Sequence, residues 1–154
     1  MSAPVRLLRG FEEGDLPALA DLWVAAWRET DFAVDFEARR SWLAERLIAH
    51  RAAGGAIVVG LDADGRPAGF VTIDPASGYL DQLCVRPGEQ GSGLAGALVN
   101  EAKRLSPDAI ELDVNQSNER ARRFYEREGF VAVARGSSPQ SGLPTLRLRW
   151  TPRG

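Results

Sequence analysis

Cysteine and histidine each occur once in this chain, as Cys84 and His50. A lone cysteine rules out an internal disulfide framework and any cysteine-rich metal site. A lone histidine means that a Ser-His-Asp triad would have to use His50, which sits near the end of a charged amphipathic segment. A surface or helix C-terminal role is expected there. An excess of one charge is also missing: 19 basic residues meet 21 acidic ones, a net of −2, which makes no case for a nucleic-acid partner. The densest basic group, Arg120, Arg122 and Arg123, is interleaved with Glu119 and Glu126 and reads as a solvated helix face. No apolar run is long enough for a membrane helix, and Met1 to Gly10 lacks a signal-peptide pattern. The expectation is a soluble, cytoplasmic protein without a metal, either monomer or homodimer. Its 154 residues suit one domain over residues 1–154, large enough for a real core.

What is present is a clear alternation of periodicities. Val5 to Arg9 reads as a short strand. Asp15 is placed to cap a helix whose apolar residues, Leu16, Leu19, Ala20, Trp23, Ala26 and Trp27, recur at helical spacing. Arg28 to Asp35 is a break, and a second helix follows from about Phe36 to Arg51, ended by Gly54-Gly55. Ala56 to Leu61 and Pro67 to Ile73 are β-rich runs joined by Asp62-Ala63-Asp64-Gly65, a hairpin signal. Tyr79 to Val85 is a third strand with an irregularity. Leu83 and Val85 alternate, but Leu80 is out of phase with them. Either one extra residue forms a β-bulge that returns Leu80 to the apolar face, or the strand is apolar on both faces without a bulge. A helix over Gly91 to Leu105, a strand over Ile110 to Val114, a helix from Asn118 to Glu128, and strands over Phe130 to Ala134 and Thr145 to Trp150 complete the chain. The order is β-α-α-β-β-β-α-β-α-β-β, an α/β (α+β) arrangement with a mixed, mostly antiparallel sheet flanked by helices.

The junction between the third strand of the meander and the next helix carries the most information. Gln90-Gly91-Ser92-Gly93-Leu94-Ala95 places glycines where backbone N–H groups can turn toward a ligand, and a helix N-terminus adds partial positive charge. Together these bind phosphate. Gly91, Gly93 and Gly96 also spell the G-x-G-x-x-G of a dinucleotide-binding oxidoreductase, and Glu111 and Asp113 fall near where a ribose-binding acid belongs. Three features count against that alternative. The spacer Arg86 to Gln90 is too long, the three preceding β-runs look like an antiparallel meander, and the remaining chain cannot supply further βαβ units. A Walker loop is excluded because no Gly-Lys-Ser/Thr follows.

Leu83-Cys84-Val85-Arg86-Pro87 followed by Gln90 to Ala95 resembles motif A of the GNAT superfamily of acyl-CoA N-acyltransferases. Asn118-x-x-Ala121-x-x-Phe124-Tyr125-Glu126-x-x-Gly129-Phe130 is similar to its motif B, and the order of elements matches over nearly the whole chain. The resemblance implies an N-acetyltransferase that moves an acetyl group from acetyl-CoA to a primary amine by direct attack in a ternary complex. A CoA-binding regulatory or interaction module without turnover is the alternative.

The resemblance also implies roles. The backbone N–H groups of Gln90, Gly91, Ser92, Gly93, Leu94 and Ala95 would hold the pyrophosphate. The pantetheine arm would lie along Leu83, Cys84 and Val85, with a backbone N–H there serving as oxyanion donor. Tyr125 would protonate the departing thiolate, or else be a core aromatic beside Phe124. Asn118 would touch the pantetheine arm, cap the helix, or both. Asp81 would deprotonate the acceptor directly or through water, or only orient it; Tyr79 occupies a similar place, and Glu111 and Asp113 are weaker options. Cys84 would carry an acyl group only in a ping-pong mechanism and is otherwise a small buried strand residue. Acceptor specificity would come from the least patterned regions: the Arg28 to Asp35 break, the aromatics Trp27, Phe32 and Trp42, and the loop Gly136 to Pro144. Such aromatics lie more often in a core than in a pocket, and these regions do not reveal the amine.

Overall fold

The computed structural model describes residues 7–28, 35, 38–89, 91–139 and 141–153. Strands are β1 (Leu8–Gly10), β2 (Ala56–Leu61), β3 (Pro67–Ile73), β4 (Leu80–Val85), β5 (Ile110–Asn115), β6 (Val131–Ser137) and β7 (Pro144–Trp150). Helices are α1 (Leu16–Arg28), α2 (Arg40–Ala52), α3 (Leu94–Leu105) and α4 (Glu119–Arg127). The observed order is the expected one. Among the described residues, no helix is long and apolar enough to cross a membrane.

Strands β1 to β4 form one antiparallel sheet in chain order, and β5, β7 and β6 form a second. In the first sheet the period-2 rule sorts side chains onto two cores. Ile57, Val59, Phe70 and Cys84 pack with Leu19, Trp23 and Val24 of α1 and Leu43 and Leu47 of α2. Val58, Val71, Ile73 and Leu80 face the other way, onto Leu98, Val99 and Ala102 of α3. That second core also takes Ile110, Leu112, Tyr125, Phe130 and Leu148, so it spans both sheets.

Two departures at element ends have local causes. Helix α3 begins at Leu94 rather than Gly91, because Gly91 and Gly93 have φ of 82° and 92°, outside helical space for the first turn. Asp15 does not cap α1. It closes a short 3-10 turn before it, where its carboxylate accepts from Arg9 Nη1 and Nη2 (2.8 and 2.7 Å) and the Glu12 N–H (2.9 Å). The expected start of α2 at Phe36 lies outside the described residues; residues 38 and 39 form a turn and the helix runs from Arg40.

Strand β4 carries the bulge. Thr72 pairs with Gln82 and Ile73 with Leu80, which leaves Asp81 as the extra residue. Leu80 thereby joins Leu83 and Val85 against the α3 core, while the Gln82 N–H is satisfied by Thr72 Oγ1 at 2.9 Å. The reading without a bulge is excluded. The two sheets meet at a parallel bridge between Tyr79 and Glu111, with the Glu111 N–H donating to the Gly78 carbonyl at 2.9 Å. Beyond that bridge β4 and β5 form no ladder, so a wedge opens between two strands of adjacent sheets.

Leu94 locks the glycine loop to this frame. Gly60 and Gly69 pair across β2 and β3, and a Cβ on either would meet the Leu94 side chain at 2.6 and 3.2 Å. The missing side chains make a notch, and Leu94, 1% exposed, fills it. The N-terminus of α3 is thus anchored by packing.

Candidate active site

The wedge between β4 and β5 opens into a cavity of about 690 Å³. Leu83 and Asp81 of β4, Asn118, Ala121 and Tyr125 around α4, and Tyr79 all line it. Offsets of three, four and seven residues bring Asn118, Ala121 and Tyr125 onto one helix face. Asn118 is the N-cap of α4, its Oδ1 accepting from the Ala121 N–H at 3.2 Å, which leaves the Nδ2 hydrogens to donate elsewhere.

Tyr125 is 8% exposed, between Phe124 and Phe130 with ring centroids 5.2 and 5.3 Å away. Among the described residues its hydroxyl has no hydrogen-bond partner. A buried phenol without a partner costs free energy, and one that borders a cavity is placed to meet a ligand. Burial pushes its pKa upward, so it stays protonated through neutral and mildly alkaline pH.

Asp81, carried out of the strand pattern by the bulge, meets α2. Arg46 donates from Nε at 2.6 Å and from Nη2 at 2.8 Å to its two oxygens, and this pairing holds the guanidinium pKa up. Arg46 also lies 5.1 Å over the Trp42 ring. On the opposite wall, the Tyr79 hydroxyl donates to Asp113 at 2.7 Å, and Arg147 donates to both Asp113 oxygens at 3.1 and 2.9 Å. Arg147 holds Asp113 below the usual carboxylate range, with help from Tyr79. Burial, then Asp113, push the Tyr79 phenol upward. Asp113 is therefore a committed ion-pair partner and a poor proton acceptor. Glu111 lies toward Arg147 and Arg149, at 3.9 and 3.8 Å, and not on the cavity wall.

The remaining expected residues sit elsewhere on the same frame. Gly91, Ser92 and Gly93 form the turn before α3, outside the cavity lining, and Gln90 lies outside the described residues. The Ser92 N–H donates to the Glu89 carbonyl at 3.1 Å and the Leu94 N–H to Ser92 Oγ at 3.3 Å. Those of Gly91, Gly93, Ala95 and Gly96 take no acceptor among the described residues. An added Cβ at Gly91 or Gly93 would meet nothing within 4 Å, so the cradle faces open space. Its geometry suits an anion such as a pyrophosphate.

Cys84 turns away from the wedge, into the α1 and α2 core, where burial pushes its thiol up to about 12. A thiol so placed is neither a thiolate nor within reach of a substrate. Cys84→Ala is accordingly expected to leave any chemistry in the cavity intact, and the native thiol to resist alkylation at pH 8 until the protein is denatured. His50 is no triad member: its Nε2 lies 3.1 and 3.2 Å from the Ala56 and Ile73 carbonyls, so it carries its proton there, away from the cavity. Among the described residues, no group of three or more His, Cys, Asp or Glu could hold a metal ion.

Trp27 and Trp42 do line the cavity, and so do Gly136 to Pro139, Ser141 and Leu143 of the expected Gly136 to Pro144 loop; Phe32 lies outside the described residues. Sequence reasoning did not single out Arg46, Arg147, Arg39 or Arg135. The i,i+4 spacing of Trp42 and Arg46 beside Leu43 and Leu47 was the available signal for the first. The others carry none.

A model of the acetyltransferase (GNAT) family matches residues 16–130. Mycothiol acetyltransferase of Beutenbergia cavernae is 41% identical over 75 residues, 46% of this chain and 25% of that protein. Peptidyl-lysine N-acetyltransferase YjaB of Escherichia coli is 30% identical over 79 residues, 51% of this chain and 52% of that one. The chain thus matches only a quarter to about half of these relatives' length. Peptidyl-lysine N-acetyltransferase YjaB of Salmonella typhimurium is 29% identical over 124 residues, 79% of this chain and 83% of that one. Among solved structures, PaiA N-acetyltransferase from Thermoplasma acidophilum, in complex with coenzyme A, has a TM-score of 0.78 at 18% identity, over 96% of this chain and 99% of that chain. Apo YjaB from Escherichia coli has 0.75 at 23% identity, over 96% and 98%. The structures establish the fold; with the splayed strands, the glycine cradle and a family model over most of the sequence, they lead to one conclusion: this chain belongs to the acetyltransferase (GNAT) family.

Proposed function

We propose that the protein is an N-acetyltransferase that moves the acetyl group of acetyl-CoA to a primary amine by direct attack in a ternary complex. The observation that carries this is the unpartnered Tyr125 hydroxyl, buried at the wedge beside Leu83 and Asn118. Acetyl-CoA supplies an activated thioester, whose cleavage leaves a thiolate that needs a proton. The backbone N–H groups around Gly91, Gly93 and Ala95, with Gln90, hold its pyrophosphate. The open edge of β4 over Leu83, Cys84 and Val85 aligns the pantetheine arm, and Asn118 donates to it. A backbone N–H of that edge stabilises the oxyanion as the amine nitrogen bonds to the carbonyl carbon.

Asp81 orients the acceptor. Both its oxygens already accept an Arg46 N–H, so the lone pairs that remain hold the nitrogen in place while water removes one proton before attack and the second after it. As the C–S bond breaks, Tyr125 protonates sulfur and recovers its proton from solvent. The shared core of both sheets supports one catalytic domain over the whole chain. Free-thiol release from acetyl-CoA over a broad amine panel tests the proposal. Turnover with at least one amine class is expected; acetyl-CoA binding without thiol release from any class would make the protein a CoA-binding module instead.

A further inference from the structure

The charges on the cavity wall, among the described residues, do not balance. Among the described residues four arginines line it, Arg39, Arg46, Arg135 and Arg147, against two aspartates, Asp81 and Asp113. Each aspartate is held through both oxygens by its own guanidinium, from Arg46 and Arg147. Arg39, just before α2, and Arg135, on β6, have no ion-pair partner among the described residues. The surplus among the described residues therefore belongs to Arg39 and Arg135, which border the cavity and can take an anion. They are not part of the phosphate cradle, since no residue from Gly91 to Ala95 lines this cavity. The same cavity is lined by an aromatic group: Trp23 lies 6.4 Å from Trp27 and 5.9 Å from Trp42, centroid to centroid.

From this surplus, and resting on the acetyltransferase reading, we infer that the acceptor is an amine that carries its own carboxylate beside an apolar body, bound through Arg39 and Arg135. A polyamine, a lysine side chain or an aminoglycoside brings only positive charge to a wall whose described carboxylates, Asp81 and Asp113, are each already paired with an arginine, and its approach is disfavoured. A planar carboxylate matches the guanidinium fork. The apolar part packs on the indoles. Two sources share this chemistry: a free amino acid, and a peptide N-terminus followed by an acidic residue.

The test measures kcat/KM for matched acceptors. Phenylalanine and tryptophan are compared with their carboxamides, peptides beginning Phe-Asp with those beginning Phe-Asn, and spermidine serves as the polycation. In one source or the other, the acid is expected to exceed its neutral counterpart by about tenfold or more at low salt, with the ratio shrinking as ionic strength rises. Arg39→Gln with Arg135→Gln should bring that ratio close to one by raising KM for the acid, and Arg39→Lys with Arg135→Lys should restore part of it. Preference for carboxamides or spermidine would overturn the inference while leaving the transferase reading intact. So would a ratio that survives the double glutamine variant, or a glutamine effect confined to KM for acetyl-CoA. If no amine of either kind releases thiol although acetyl-CoA binds, the transferase reading falls and the inference with it.

Discussion

Tyr125→Phe is expected to lower kcat by about 10²–10⁴-fold, the usual contribution of a positioned general acid, with little change in KM for acetyl-CoA. Only the hydroxyl is removed. The ring contacts with Phe124 and Phe130 remain, so packing of α4 against the core persists. The free protein makes no hydrogen bond with that hydroxyl among the described residues, so thermal stability should be equal to wild type or slightly higher. Loss of turnover without loss of stability is the signature of a group kept for chemistry. The defect should shrink with acyl donors whose thiol is more acidic, because a better leaving group needs less protonation. Wild-type turnover with acetyl-CoA while chemistry is rate-limiting would show that Tyr125 only packs, with water as the acid.

Gly93→Val is expected to abolish stabilisation by CoA while leaving a folded protein. At φ 92° a β-branched residue is strained, at a cost of about 1–3 kcal/mol. For a chain of this size that lowers the melting temperature by about 2–4 °C per kcal/mol. Global unfolding is not expected, because an added Cβ meets nothing within 4 Å and Leu94 still fills the notch over Gly60 and Gly69. The branches instead enter open space at the N-cap of α3, next to the Ala95 and Gly96 N–H groups that take no acceptor among the described residues, and there they compete with a bound pyrophosphate. Differential scanning calorimetry with and without CoA reads both effects. A CoA-induced shift equal to wild type would remove the pyrophosphate assignment.

The legible parts of the fold share a physical basis. Ala56 to Leu61 and Pro67 to Ile73 are observed with the bounds their composition suggested, because a buried hairpin is encoded within each run and by its turn. The bulge in β4 was readable as a phase error in the apolar pattern, although phase alone could not separate it from a strand buried on both sides. Helix ends were the weakest: Asp15 looked like a cap, but Arg9, six residues earlier and on a strand, competes for the same carboxylate. A local signal loses to a bidentate ion pair that local reasoning does not see.

By itself, the sequence determined the element order, the glycine cradle before α3, the shared helix face of Asn118, Ala121 and Tyr125, and the family these imply. Each depends on spacing within a few turns or strands, where backbone geometry dictates which side chains share a face. The tertiary structure alone decided what Asp81 and Asp113 face, that the Tyr125 hydroxyl is left without a partner, and which arginines border the cavity. Asp81 meets Arg46 from 35 residues away, and Asp113 meets Arg147 from 34. Such pairs form because packing of α2 on one sheet, and of β7 beside β5 in the other, brings distant charges together, and no periodicity along the chain records that distance.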